Sequence, residues 1–295
     1  MKAAVIDLGS NAVRMFIAEV NESEIRVVKR FRHNVRLSEG MSKTMTLQPE
    51  PVKRTLSALR ELKQHIDESG ADKVIAVATA AMRNAKNRDE IIVPLKEMGI
   101  DLKIIDGLTE ARYDYLGVIN TLPVKNFVIM DIGGASTEVI AVKDGVNTDM
   151  ISLPFGAVVL KENYIPDNDA ENCTKDAKIF AENQLSKLAF LDGAQGCDLV
   201  VLGGTGRALG QINENSTDIP NGYMVTVQRA KEIMHRIYNM TVSEIENGVT
   251  VEKKRADIVK SGFVLLEKMA ERISAEKIII GRCGVREGIL YEMVR

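Results

Sequence analysis

Ala4-Val5-Ile6-Asp7-Leu8-Gly9-Ser10-Asn11-Ala12-Val13-Arg14-Met15-Phe16-Ile17 is an apolar run that ends in Asp7, turns through small residues and leaves as a second apolar run. Val128-Ile129-Met130-Asp131-Ile132-Gly133-Gly134-Ala135-Ser136-Thr137-Glu138-Val139-Ile140-Ala141, 124 residues further on, repeats the pattern. Apolar runs on either side of Gly, Ser and Asn predict a strand, a tight turn and a returning strand. Small turn residues also let an anion approach backbone N–H groups closely. Two such turns predict a phosphate chain held from both sides. The carboxylates of Asp7 and Asp131 repel phosphate, but at strand ends beside it they are suited to hold a divalent cation through oxygen or water. The pairing points to phosphoryl chemistry.

Outward from these hairpins, the order of elements is mixed. Arg26 to Phe31 reads as a third strand, and Val52, Leu56, Leu59, Leu62 and Ile66 share one helical face. Val74 to Ala78 is a buried strand, Arg88 to Met98 a helix and Leu102 to Ile105 a strand. The second half repeats this with hairpin strands from Phe127 to Val142 and Thr148 to Leu153, then a long helix from about Ala170 to Leu191. A strand Asp198 to Leu202, helices from about Thr226 and Glu252, a strand Lys277 to Ile280 and a closing helix from Val285 complete it. Strands alternating with helices predict an α/β fold, and 295 residues suffice for two domains with separate cores. The junction is expected near Asn120 to Lys125, where Thr121-Leu122-Pro123 breaks a helix.

Composition narrows the partners. No window of eighteen uncharged apolar residues occurs, so no membrane span is predicted. The apolar run after Met1 is too short for a signal segment, so the protein is expected to stay in the cytoplasm. A net charge of −2 offers nothing global to nucleic acid or membrane, so a polyanionic ligand must meet a local basic patch. Cys173, Cys197 and Cys283 lie far apart without a C-x-x-C pair, which argues for idle thiols rather than disulfides or zinc. His33, His65 and His235 match no ligand spacing.

Asp7-Leu8-Gly9-Ser10-Asn11 with Arg14, Asp131 to Glu138, and Leu202-Gly203-Gly204-Thr205 resemble the first phosphate, second phosphate and nucleoside-side motifs of the actin-like ATPase superfamily. Within it the chain is similar to the exopolyphosphatase and guanosine pentaphosphate phosphatase (Ppx/GppA) family. Further stretches carrying the likeness are Val35 to Gly40, Ala78 to Asn87, Asp106 to Arg112, Ser152-Leu153-Pro154-Phe155-Gly156, Arg255-Ala256-Asp257-Ile258 and Gly284 to Gly288. They span the chain and end just after Arg286-Glu287-Gly288, like a short, two-domain member of the family. The resemblance implies two duplicated actin-like (ribonuclease H-like) α/β domains with an interdomain active-site cleft. Domain I is expected over 1–120 with the C-terminal helix, about 285–295, and domain II over 121–284.

The resemblance also implies roles. Glu110 occupies the position of the family's catalytic Glu and is assigned to the attacking water, and Glu138 matches a second carboxylate of the active centre. Hydrolysis of a phosphoanhydride needs donors around the terminal phosphoryl group, a cation and a carboxylate that orients water. The donors are Gly9, Ser10 and Asn11, then Gly133, Gly134, Ala135, Ser136 and Thr137, with guanidinium groups from Arg14 and Arg83. Asp131 supports Mg²⁺, with Mn²⁺ as the alternative cation, and Asp7 is the weaker metal candidate. Gly203, Gly204 and Thr205 face a nucleoside or outer part of the substrate. Outer phosphates are expected to meet Arg83 and Lys86 on one domain and Lys253, Lys254 and Arg255 on the other.

Each assignment has a plainer counterpart. Glu110 at a helix start also suits the helix dipole, Arg83 reads equally as a surface charge, and Arg14 and Glu138, at equivalent hairpin positions, as an ion pair. Ala135 stands where the family's turn has a third glycine, and its methyl is expected to crowd the phosphate or bar a positive φ. Asn221-Gly222 replaces a His-Gly found in some relatives. The leading expectation is an exopolyphosphatase acting on linear polyphosphate. The alternatives are a guanosine pentaphosphate 5′-phosphohydrolase and a non-catalytic alarmone or nucleotide sensor. The partner is then polyphosphate or a guanosine polyphosphate, with no nucleic acid and no membrane, and a homodimer is left open.

Overall fold

The computed structural model describes residues 1–22, 24–41, 43–166 and 173–294. The chain divides into two compact units, one of Met1–Asn120 with the segment from Val285 onward, the other of Thr121–Gly284.

Unit 1 contains β1 (Lys2–Leu8), β2 (Ala12–Val20), β3 (Ile25–Asn34), α1 (Pro49–Ser69), β4 (Lys73–Ala78), α2 (Ala80–Asn84), α3 (Asp89–Glu97), β5 (Leu102–Ile104), α4 (Gly107–Ile119) and the C-terminal helix, Val285–Glu292. Its sheet runs β3-β2-β1-β4-β5, antiparallel across the first three strands and parallel beyond. Successive side chains of β1 and β2 alternate between two covered faces, which is why both strands read as unbroken apolar runs. Ile6, Leu8, Met15 and Ile17 pack with Leu59, Leu62 and Ile66 of α1. Ala3, Val5, Phe16 and Ala18 pack on the opposite face with Ile105, Tyr113 of α4, and Val285, Ile289 and Leu290 of the C-terminal helix. That helix meets α4 so closely at Gly288 that a Cβ there would stand 2.0 Å from the Tyr113 carbonyl oxygen.

Unit 2 contains β6 (Phe127–Ile132), β7 (Thr137–Lys143), β8 (Val146–Leu153), α5 (Ala157–Tyr164), α6 (Lys175–Leu185), β9 (Asp198–Leu202), α7 (Gly203–Glu214), β10 (Tyr223–Thr226), α8 (Val227–Tyr238), α9 (Val242–Gly248), α10 (Ala256–Arg272) and β11 (Lys277–Ile280). The sheet order β10-β11-β9-β6-β7-β8 repeats that of unit 1, with β10 added antiparallel at one edge. The buried stem of α10, from Ile258 to Met269, runs through its core. Two units built on one topology make this a duplicated, actin-like α/β fold.

The expected helix from about Ala170 to Leu191 is corrected. Its first residues, 170–172, lie outside the described residues, and the α-helix ends at Leu185, with a separate 3-10 turn over Ala189–Ala194. Arg272 explains the break, because its guanidinium donates to the carbonyls of Leu185 and Leu188 and so takes over the helix end. The helix expected from about Glu252 begins at Ala256, after a 3-10 turn over Lys253–Arg255. Among the described residues Cys173, Cys197 and Cys283 form no disulfide. Among the described residues no helix is long and apolar enough to cross a membrane.

Candidate active site

In unit 1, β1 and β2 pair in a register that sets Asp7 directly opposite Arg14, and the guanidinium lies 3.8 Å from the Asp7 carboxylate. The turn between them is closed by the Gly9 N–H, which donates to the Ala12 carbonyl at 3.1 Å. Its carbonyls are taken from outside: Ser38 N–H donates to Ser10, and the N–H groups of Val35 and Arg36 donate to Asn11. The N–H groups of Ser10 and Asn11 donate to no partner among the described residues. A turn fixed through its carbonyls, with its donors left over, is a ready anion nest.

Arg83 lies in the last turn of α2, directly after β4. Its guanidinium donates to the Ile105 carbonyl at 2.8 Å and to Glu110 at 3.2 Å. Glu110 is only 7% exposed, in the first turn of α4. That turn is capped by Asp106, whose carboxylate accepts the Thr109 N–H at 2.7 Å and is held below the usual carboxylate range by that bond. A dipole-favouring carboxylate would sit in solvent, whereas this one is buried and held by an arginine. One helical turn on, Asp114 is fully buried. Sequence reasoning missed it, although its spacing of four from Glu110 puts both on one helix face.

In unit 2 the second turn is closed by Gly133 N–H donating to Ser136, while N–H groups at the start of α5 take the carbonyls of Gly133 and Gly134. The N–H groups of Gly134, Ala135 and Ser136 donate to no partner among the described residues. Gly133, Gly134 and Ala135 all avoid positive φ, so the methyl of Ala135 fits its backbone. The glycine that this turn demands is Gly156, where a Cβ would stand 2.4 Å from the Gly133 carbonyl. Thr137 is fully buried and its hydroxyl donates to the Phe155 carbonyl.

Asp131 stands directly opposite Glu138, which is 1% exposed and accepts the Ser152 hydroxyl at 2.7 Å. Equivalent register positions thus hold an Asp and an Arg in unit 1 but two carboxylates in unit 2. The third motif completes the latter group. Gly203 has φ +78°, and a Cβ there would come 2.7 Å from the Asp131 carboxylate, so only glycine fits. Beside it Gly204 carries the Arg255 guanidinium on its open face, and Thr205 is buried against Gly262. Arg255 is therefore not part of an outer basic cluster, and only Lys253 and Lys254 of that run are exposed. Asn221 is structural, its side-chain amide oxygen accepting the Arg282 backbone N–H. Among the described residues no group of three or more His, Cys, Asp or Glu side chains stands ready to hold a metal.

The sequence reading also gave no role to Arg286 and Glu287, at the start of the C-terminal helix. The Arg286 guanidinium lies 3.9 Å from the centre of the Phe16 ring, and burial lowers its pKa to about 10. Burial raises the Glu287 carboxyl above its ordinary value despite the arginines around it. The folded chain then holds this proton at pH values where the unfolded chain has lost it, so stability falls as pH rises from the ordinary carboxylate value through the raised one. Glu287→Gln is expected to raise the thermal midpoint at neutral pH and to bring no gain near pH 4, as scanning calorimetry at both values would show.

Comparison with known proteins agrees with this architecture. The sequence model of the Ppx/GppA phosphatase family matches residues 16–295. The structure of the Aquifex aeolicus PPX-GPPA enzyme is 30% identical, covers 99% of both chains and superposes with a TM-score of 0.84. An exopolyphosphatase from Cytophaga hutchinsonii, 22% identical over 100% of this chain and 98% of its own, superposes at 0.89 and shares the fold. With two actin-like units, two phosphate-type turns and a family match over nearly the whole chain, the protein belongs to the Ppx/GppA phosphatase family of phosphoanhydride hydrolases.

Proposed function

We propose that this chain is a cytoplasmic, Mg²⁺-dependent exopolyphosphatase that releases terminal orthophosphate from linear polyphosphate. The observation that carries the reading is the contrast between the duplicated hairpins. Asp7 has a cationic neighbour in Arg14, whereas Asp131 faces a second carboxylate, Glu138. Like charges directly opposite on paired strands disfavour the sheet, and a divalent cation held by Asp131 and Glu138 would relieve that opposition. Two carboxylates, with the rest of the shell from water and substrate, are the usual holding of Mg²⁺ in phosphoryl-transfer sites. Asp131 and Glu138 therefore fit the metal better than Asp7 does. The solved relatives described as exopolyphosphatases add support for the substrate.

Bound there, Mg²⁺ would neutralise charge developing on the phosphoryl oxygens. In unit 1 the N–H groups of Ser10 and Asn11, with Arg14, are suited to hold phosphate oxygens, as within unit 2 are those of Gly134, Ala135 and Ser136. Glu110, oriented by Arg83, accepts the proton of the attacking water as its oxygen forms the new P–O bond. The bridging P–O bond breaks, and the shortened chain departs with its electron pair.

Phosphate release from long-chain polyphosphate, guanosine pentaphosphate and ATP, each with and without Mg²⁺, tests this. The expected order puts polyphosphate first, and only with the metal present. Faster release from guanosine pentaphosphate at every salt concentration would transfer the assignment to the nucleotide.

A further inference from the structure

Unit 1 gathers arginines on one face of its sheet. The β2–β3 register sets Arg14 opposite Arg32 and Phe16 opposite Arg30. Alternation along the strands places Arg14 and Phe16 on the same side as Asp7, and Arg32 and Arg30 beside them. The C-terminal helix adds Arg286 from above, so that the guanidinium groups of Arg286 and Arg30 share the single ring of Phe16, at 3.9 and 4.4 Å from its centre. Asp7 lies 3.8 Å from Arg14, and Glu287 lies 3.6 Å from Arg30. Like charges opposed across two strands destabilise them, and two cations on one ring repel each other. Of the four, Arg30 is the most open, with 59% of its side chain exposed, and Arg14 is 26% exposed.

We infer that Arg14, Arg30 and Arg286, with Arg32 beside them, form a cationic track that takes the outer phosphates of a linear phosphate chain as it leaves the first turn. Arg14 stands beside that turn, and Arg30 and Arg286 lie around Phe16, two residues further along β2. A chain of phosphates places one negative charge after another along such a row, which a compact nucleotide does not. This track deepens the polyphosphate reading and rests on it. It also differs from the basic residues that the sequence singles out for the role, Arg83, Lys86, Lys253, Lys254 and Arg255.

The test uses the full chain carrying Glu110→Gln to keep the ligand intact. Binding of long-chain polyphosphate and of tripolyphosphate is measured over a series of salt concentrations, with and without Arg30→Ala. Arg30→Ala is expected to weaken long-chain binding by about threefold to tenfold, and to make its log–log salt dependence shallower by about one unit, as loss of one phosphate contact does. Its effect on tripolyphosphate should be much smaller, and Arg30→Lys should restore most of the salt dependence. A role confined to packing on Phe16 would weaken both ligands alike, or neither, and that result overturns the track while leaving the polyphosphate reading in place. If the parent chain binds long and short phosphates equally well, the track and the polyphosphate reading fall together.

Discussion

Glu110→Gln is expected to keep the chain folded and able to bind substrate while lowering turnover on the order of a hundredfold or more, the usual contribution of a positioned general base. The substitution preserves shape and one acceptor oxygen, so the bond from Arg83, 3.2 Å in the parent, can persist. What disappears is the capacity to take a proton. Were Glu110 only a helix-dipole residue, the change would move stability by about 1 kcal/mol or less and leave turnover near that of the parent. Burst and steady-state phosphate release, compared with equilibrium binding of the same polyphosphate, separates these outcomes. Unaltered turnover with unaltered binding removes Glu110 from the mechanism.

Asp131→Asn is expected to raise the Mg²⁺ concentration for half-maximal rate by about tenfold to a hundredfold, the range seen when a residue orienting a metal's shell is lost. A neutral amide holds a hard cation and its waters less well than a carboxylate does. The same change relieves the opposition of Asp131 and Glu138 across β6 and β7. The variant should therefore be no less stable than the parent in metal-free buffer while being the poorer enzyme. Titration of activity against Mg²⁺, with thermal midpoints in chelator, measures both halves, and an unchanged metal dependence relocates the cation.

The hairpins were legible because strands covered on both faces write themselves as apolar runs, and their turns as Gly, Ser and Asn. Helix α7 was not. Gly203-Gly204-Thr205-Gly206 reads as a turn, since glycine disfavours helix by about 1 kcal/mol per residue. Tertiary contact overrides this: a Cβ at Gly204 would strike Arg255, at Gly206 the Val201 carbonyl, and at Gly210 the side chains of Ile280 and Ile219. Those glycines serve close packing rather than a bend. Arg255 misled for a related reason, because a run of three basic residues gives no sign that its third member folds inward. Among the candidate site residues, the pairing of Arg83 with Glu110 joins side chains 27 positions apart, and only the return of β5 into α4 brings them together. Arg286 and Glu287 were visible as a motif but silent as to role, since their partners Phe16 and Arg30 lie at the other end of the chain.

That last separation affects how the protein is made. Phe16 and Val5 finish their burial against Val285, Ile289 and Leu290, so one face of the first unit, covered in part by Ile105 and Tyr113, stays incompletely covered until the C-terminal helix has been synthesised. The 164 residues from Thr121 to Gly284 must be translated in between, on the order of ten seconds or more at ~5–20 residues per second. The intervening unit, whose sheet and core are drawn from a continuous stretch, is free to fold during that wait. The nascent N-terminal sheet, meanwhile, carries exposed apolar surface of the kind that chaperones recognise. Birth order and folding order are thus reversed, and the half of the molecule that leaves the ribosome first is the last to be completed.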